Sequence, residues 1–285
     1  MQQPLFDILR PSAVKEQLYG LWQEAFGDSR EFIEAFFTHF PCDGCAHTLS
    51  VGGRVVSALY ALPCTLRVGG EEHSAAYIYA VVTVADCRGR GYMQLLMERV
   101  EELLRCRGVK LLYLLPASPA LRDYYSRLGY VTCSARAVEY LQKPLVGGVG
   151  LRFEEADFSS RMTDFCIEQQ RRNAPSVVHS SSSIAMNFFN CCAQGGGVFA
   201  VYEGSSIAAV AFVAVDSDGP LLLECYSASP VARDFMLQSL CVHFVVDAMR
   251  AFVQGKGEPC CMMRTLVDEA LFLPDSVDIS LLLDK

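Results

Sequence analysis

The chain has 285 residues, 52% of them hydrophobic and 20% charged, with a formal net charge of −8. That length holds two ordinary domains, each with its own core. No apolar run approaches the length that crosses a bilayer and no leader pattern opens the chain, so a soluble, cytoplasmic protein with no membrane contact is expected. The acidity argues against a general nucleic-acid binder and suits cationic, amine-bearing partners.

An amphipathic helical region is expected from about Val14 to Phe40, then a hairpin from Thr48 to Ala61 turning at Gly52-Gly53. Between them, Cys42-Asp43-Gly44-Cys45 with His47 nearby has the spacing of half a zinc site. The second ligand pair is missing and Asp43-Gly44 is a turn signal, so no metal is expected. The thirteen cysteines are otherwise scattered through apolar segments, most of them expected as small core residues held reduced. His73 falls in a polar Gly-Glu-Glu-His-Ser stretch and reads as a solvated turn residue.

The most informative stretch is Val81-Val82-Thr83-Val84-Ala85-Asp86-Cys87-Arg88-Gly89-Arg90-Gly91-Tyr92-Met93, an apolar strand running through a basic, glycine-rich turn into a helix. Gly89 and Gly91 let the backbone curl and leave nothing between it and a ligand, and the helix starting near Tyr92 aims unpaired N–H groups at the same spot. With Arg88 and Arg90 adding positive charge, the favoured guest is a phosphate or pyrophosphate. A dinucleotide fold would need a third glycine, and Gln94 stands there instead; no Walker-type Gly-Lys-Ser/Thr is present.

The helix is specified by Met93, Leu96, Met97, Val100, Leu103 and Leu104, with Gly108 as its stop. Val109 to Leu115 reads as a buried strand. A second helix follows, capped by Ser118, with Pro119 in its first turn and Gly129 where the chain leaves it.

In this order, strand, Arg-Gly-Arg-Gly-Tyr-Met, helix, strand and Tyr125-Ser126-Arg127-Leu128-Gly129-Tyr130, residues 45 to 140 resemble the acyl-CoA core of the GNAT superfamily of N-acetyltransferases. Met93 stands where the family's Arg/Gln-x-x-Gly-x-Gly/Ala turn has a small residue. The resemblance implies acetyl-CoA as co-substrate, held at Arg88, Gly89, Arg90, Gly91, Tyr92 and Met93. It also implies backbone contacts to pantetheine and thioester near Val82 and Val84, and Tyr125 as the acid that protonates the departing thiolate. Tyr124 has the same chemistry but points about 100° away on a helix. Ser118 falls where the family often has a cofactor-contacting asparagine, and its capping role explains it equally well.

A proline and three glycines from Lys143 to Gly150 mark a linker, dividing the chain into domains 1–144 and 145–285. The second domain repeats the plan of the first: helices from Phe158 to Arg172 and Ser183 to Cys192, a hairpin from Val198 to Val215, a strand at Leu221–Cys225 and a helical segment from about Asp234 to Phe252. Where the first domain has Arg88-Gly89-Arg90-Gly91, it has Ser229-Pro230-Val231-Ala232-Arg233, with a proline and side chains in place of free amides. The expected fold is a two-domain α/β protein, each domain a mixed sheet flanked by helices. It is similar to the tandem GNAT arrangement of enhanced-intracellular-survival type acetyltransferases, without their carboxy-terminal sterol-carrier-like domain.

The implied reaction is acetyl transfer from acetyl-CoA to a primary amine by direct attack within a ternary complex. The resemblance also implies that the carboxylate of Lys285 can reach the site, although a merely packed terminus accounts for the same residues. The acceptor is a small-molecule or peptide amine, a homo-oligomer is left open, and an idle acyl-CoA-binding or sensing protein is the alternative. A transferase using charged tRNA is disfavoured by the net acidity.

Overall fold

The computed structural model describes residues 5–7, 11–173, 175–267 and 277–279. The chain forms two compact units. Unit one gathers residues up to 66, residues 71–132 and a stretch beginning at Cys261; unit two gathers 67–70, 133–260 and a stretch that includes 277–279.

Unit one runs β1 (Leu5–Asp7), α1 (Pro11–Phe26), α2 (Arg30–His39), a single turn α3 (Cys42–Cys45), β2 (Ala46–Val51), β3 (Arg54–Val68), β4 (Glu71–Thr83), α4 (Tyr92–Cys106), β5 (Leu111–Leu114) and α5 (Pro119–Arg127). The expected helical region is broken at Gly27, left-handed at φ 71°, and restarts where the Ser29 hydroxyl accepts from the Phe32 N–H. The hairpin at Gly52-Gly53 forms as expected, both glycines at positive φ. A second hairpin follows: β3 continues past Ala61 to Val68 and turns at Gly69-Gly70, both also at positive φ.

After unit one the chain continues through β6 (Val131–Gln142), β7 (Leu151–Glu155), α6 (Ser160–Arg172), β8 (Ser176–His179), α7 (Ser181–Ala193), β9 (Gly197–Glu203), β10 (Ser206–Asp216), β11 (Gly219–Ser227), α8 (Pro230–His243), β12 (Ala248–Gln254) and β13 (Glu258–Thr265). In unit one the strand order is β1-β2-β3-β4-β5-β13, and in unit two β6-β12-β11-β10-β9-β7. Strand β13 therefore completes the first sheet from the far end of the chain, antiparallel to β5 from Met262–Leu114 to Thr265–Leu111.

Unit one's core centres on Trp22, whose ring lies 4.7 Å from Phe36 and 4.9 Å from Tyr60 and whose Nε1 donates to Asp28. In unit two, β10 is buried along most of its length, as befits a strand covered on both faces. Phe199, Val213, Leu222, Met236, Leu240 and Met249 belong to the cluster that buries α8 on the sheet.

The helix expected from Asp234 to Phe252 stops at His243, and Ala248–Gln254 is strand. Its stop is a Schellman motif, with Val246 N donating to Cys241 O at 2.9 Å. The left-handed position of that motif is filled by Val245, φ 56°, where a glycine would have announced the end.

Candidate active site

The parallel pairing of β4 and β5 ends at Tyr77–Tyr113, while β4 runs on to Thr83. Ala80, at φ 47°, marks a local distortion in this overhang. Val84 was expected to offer its backbone to a ligand, but its N–H donates to Val56 O at 3.0 Å and its carbonyl accepts from Cys87 N at 2.9 Å. Because successive strand residues turn their amides to opposite edges, Val82 turns toward β3 as Val84 does. Val81 and Thr83 then present their backbone on the edge that β5 leaves open.

A 3₁₀ turn, Ala85–Cys87, leads into the basic turn. Gly89 and Gly91 are left-handed at φ 74° and 79°, and a Cβ on either would meet nothing within 4 Å, so both open onto free space. Gly91 is the N-cap of α4 and no side chain caps the helix. The first intrahelical bond is Leu95 N to Gly91 O at 3.0 Å, so the N–H groups of Tyr92, Met93 and Gln94 lie before the ladder begins. Arg54 grips Asp86 through two bonds of 2.8 and 3.1 Å, which neutralises the nearest carboxylate. Arg88 Nε donates to Thr83 O at 3.1 Å and Arg90 Nη2 to Asp86 O at 2.8 Å. Both are exposed, and among the described residues neither pairs with a carboxylate. The site is a helix N-terminus and two cations, each held by a backbone carbonyl and neither paired with a described carboxylate, around left-handed glycines, a fit for a polyanion such as a pyrophosphate.

Helix α5 brings in the tyrosines. Ser118 caps it, accepting from Leu121 N at 3.3 Å. Its end is a Schellman motif: Gly129, φ 87°, donates to Ser126 O at 3.0 Å and Tyr130 N donates to Tyr125 O at 3.1 Å. That motif fixes the spacing from Tyr125 to Tyr130. Tyr125 is 5% exposed, its ring edge-on to Tyr124 at 5.2 Å and to Tyr130 at 5.8 Å. Its hydroxyl bonds to no described residue, and burial, with a smaller contribution from Tyr124, raises its pKa above the ordinary phenol value. The phenol is thus held in its protonated form. Tyr124 is half-buried and raised by burial and by Glu98.

Residues 11–133 match the sequence model of the acetyltransferase (GNAT) domain. The amino-terminal half is a GNAT acetyltransferase domain. No curated protein sequence matches the chain. Among solved structures it is similar to a conserved protein of Enterococcus faecalis V583, a probable N-acyltransferase, at 17% identity and TM-score 0.76, over 93% of this chain and 73% of that one. Eis1 of Mycobacterium abscessus aligns at 14% identity and TM-score 0.70, over 92% and 73%. A tandem GNAT protein from the clavulanic acid biosynthesis pathway aligns at 13% identity and TM-score 0.54, over 94% and 99%. The chain as a whole has the tandem GNAT fold.

Unit two repeats the strand, helix, strand step of the GNAT domain, with β11 parallel to β12 as β4 is to β5. At its turn the Ser229 hydroxyl accepts from Ala232 N at 3.2 Å and Pro230 supplies no N–H. The place that stands open in the GNAT domain is here filled by a side-chain cap.

His73 lies in strand β4 rather than a turn, with its side chain only 11% exposed. The Cys45 thiol donates to the Phe40 and Pro41 carbonyls, and burial pushes it up to about 12. Among the described residues no group of three or more potential ligands could hold a metal, and no helix is long and apolar enough to cross a membrane. Lys285 lies outside the described residues.

Two residues of the site's frame went unread. Glu101 is buried on α4, and Arg264 on β13 reaches it. The signal was there: Glu101 interrupts the apolar face of α4 between Val100 and Leu104, and a charge in such a place needs a partner.

Proposed function

We propose that the protein is a cytoplasmic N-acetyltransferase that uses acetyl-CoA to acetylate a primary amine, by direct attack within a ternary complex. The observation that carries this reading is the uncapped start of α4 at left-handed Gly91, flanked by Arg88 and Arg90, which have no carboxylate partner among the described residues. Acetyl-CoA supplies an acetyl group activated as a thioester. Gly89, Gly91 and the N–H groups of Tyr92, Met93 and Gln94 would hold its pyrophosphate, with the two guanidiniums balancing charge. The backbone of Val81 and Thr83, on the open edge of β4, would take pantetheine as a further strand and offer an N–H to the thioester oxygen. Tyr125, protonated throughout the neutral range, would give its proton to the leaving thiolate. The acceptor is a small-molecule or peptide amine.

Calorimetric titration with acetyl-CoA, beside assays of thiol release with a panel of amines, tests the reading. Binding to the native protein that is lost in Gly91→Glu, together with amine-dependent release, is the expected result. Equal binding by the variant removes the site, and binding without release from any amine favours an acyl-CoA-binding protein.

A further inference from the structure

In unit two, β11 and β12 pair in parallel only at Leu221–Arg250 and Leu222–Ala251. Beyond these pairs, between Leu223 and Phe252, lies a cavity of about 430 Å³, within the size range of small-ligand sites. Its described lining residues all belong to unit two. Leu141, Leu222 and Phe252 give it apolar wall; Arg136, Glu224 and Asp278 give it charge.

The Arg136 guanidinium stacks over the Phe252 ring at 4.4 Å, and its Nη1 is buried with no hydrogen-bond partner among the described residues. A buried cationic donor in this state lacks an acceptor, best an anionic one. Asp278 is held by its backbone, its N–H donating to Pro175 O at 2.8 Å and its carbonyl accepting from Val177 N at 2.9 Å. The residues on either side are tied as well: Val277 N donates to Cys133 O, and Ile279 exchanges two bonds with the Gln254 side chain, at 2.7 and 2.9 Å. Burial raises the Asp278 carboxyl above its ordinary value, against the opposing hydrogen bonds of the Asn173 and Gln254 side chains, so a cation brought beside it would be favoured.

We propose that this cavity binds an α-amino acid with an apolar side chain, its carboxylate on Arg136, its ammonium on Asp278, and its side chain along Leu141, Leu222 and Phe252. A simple amine would leave Arg136 unanswered. A simple carboxylate would bring no cation to Asp278. A phosphate ester has no cradle here, because Ser229 and Pro230 close the start of α8.

Calorimetry of the full chain with L-leucine and L-phenylalanine tests this, with L-leucinamide and 4-methylpentanoate as probes that lack one charge each and need no variant. Saturable binding of leucine or phenylalanine is expected, weakened about tenfold or more for both analogues and in Arg136→Gln and Asp278→Asn. Gly91→Glu, which disables the turn of the GNAT domain, is expected to bind the amino acid as the native protein does. No saturable binding of either amino acid, analogues that bind as well as leucine, or loss of binding in Gly91→Glu would each overturn the proposal.

Discussion

Arg264 Nη1 lies 2.9 Å from Glu101 Oε2 and also donates to the Leu128 carbonyl at the end of α5. Tyr130 Oη stands 3.5 Å from the same carboxylate. One guanidinium on β13 thus ties the helix that starts at the anion turn to the helix that carries Tyr125. Burial raises the Glu101 carboxyl, and Arg264 opposes that rise. Arg264→Met would strand a buried acid, and a loss of roughly 2–3 kcal/mol is expected in urea denaturation. The double variant with Glu101→Leu should recover much of it; no recovery would show that the pair does not act as a unit.

Tyr125 and Tyr124 are separable by substitution. Tyr125→Phe should lower turnover by about a hundredfold with acetyl-CoA affinity unchanged, while Tyr124→Phe leaves turnover near native. The reverse ranking would move the acid role to Tyr124.

His47, 2% exposed on β2 with both ring nitrogens bonded to no described residue, carries a pKa pushed down to about 4, first by burial and then by Arg107. The unfolded chain takes up the proton near pH 6.5 and the folded chain only near 4. The stability this imidazole contributes is therefore complete above about pH 6.5 and is lost as pH falls toward 4, on the order of 3 kcal/mol. Denaturation at pH 7 and pH 4.5 should show His47→Leu losing less stability on acidification than the native protein.

Val245, 90% exposed at φ 56°, holds a backbone shape that a β-branched residue adopts at a cost. Val245→Gly should stabilise the protein by about 0.5–1 kcal/mol after the entropy of glycine is subtracted. Val245→Ala, which keeps most of the strain, should gain less; equal gains would remove the explanation.

Val245 also shows where reading the chain failed. The stops of α4 and α5 were legible because Gly108 and Gly129 fill the left-handed position, and that of α8 was not because valine does. The anion turn was legible because its chemistry is local: glycines, arginines and the helix start lie within six residues. The backbone that faces the open edge of β4 depends on which residue bonds to β3, a tertiary fact that the order of residues along the strand does not carry. Glu101 and Arg264 stand 163 residues apart, and periodicity can flag an odd charge on a helix without naming its distant partner.

Strand β13 gives the first sheet a consequence for biosynthesis. When the ribosome has delivered residues 1–144, β5 still lacks the neighbour that pairs Leu114 with Met262, and Glu101 still lacks Arg264. At ordinary elongation rates the wait for that strand is on the order of ten seconds. During it the nascent half exposes an unpaired strand edge, the kind of surface that chaperones cover and that neighbouring chains on a polysome can capture.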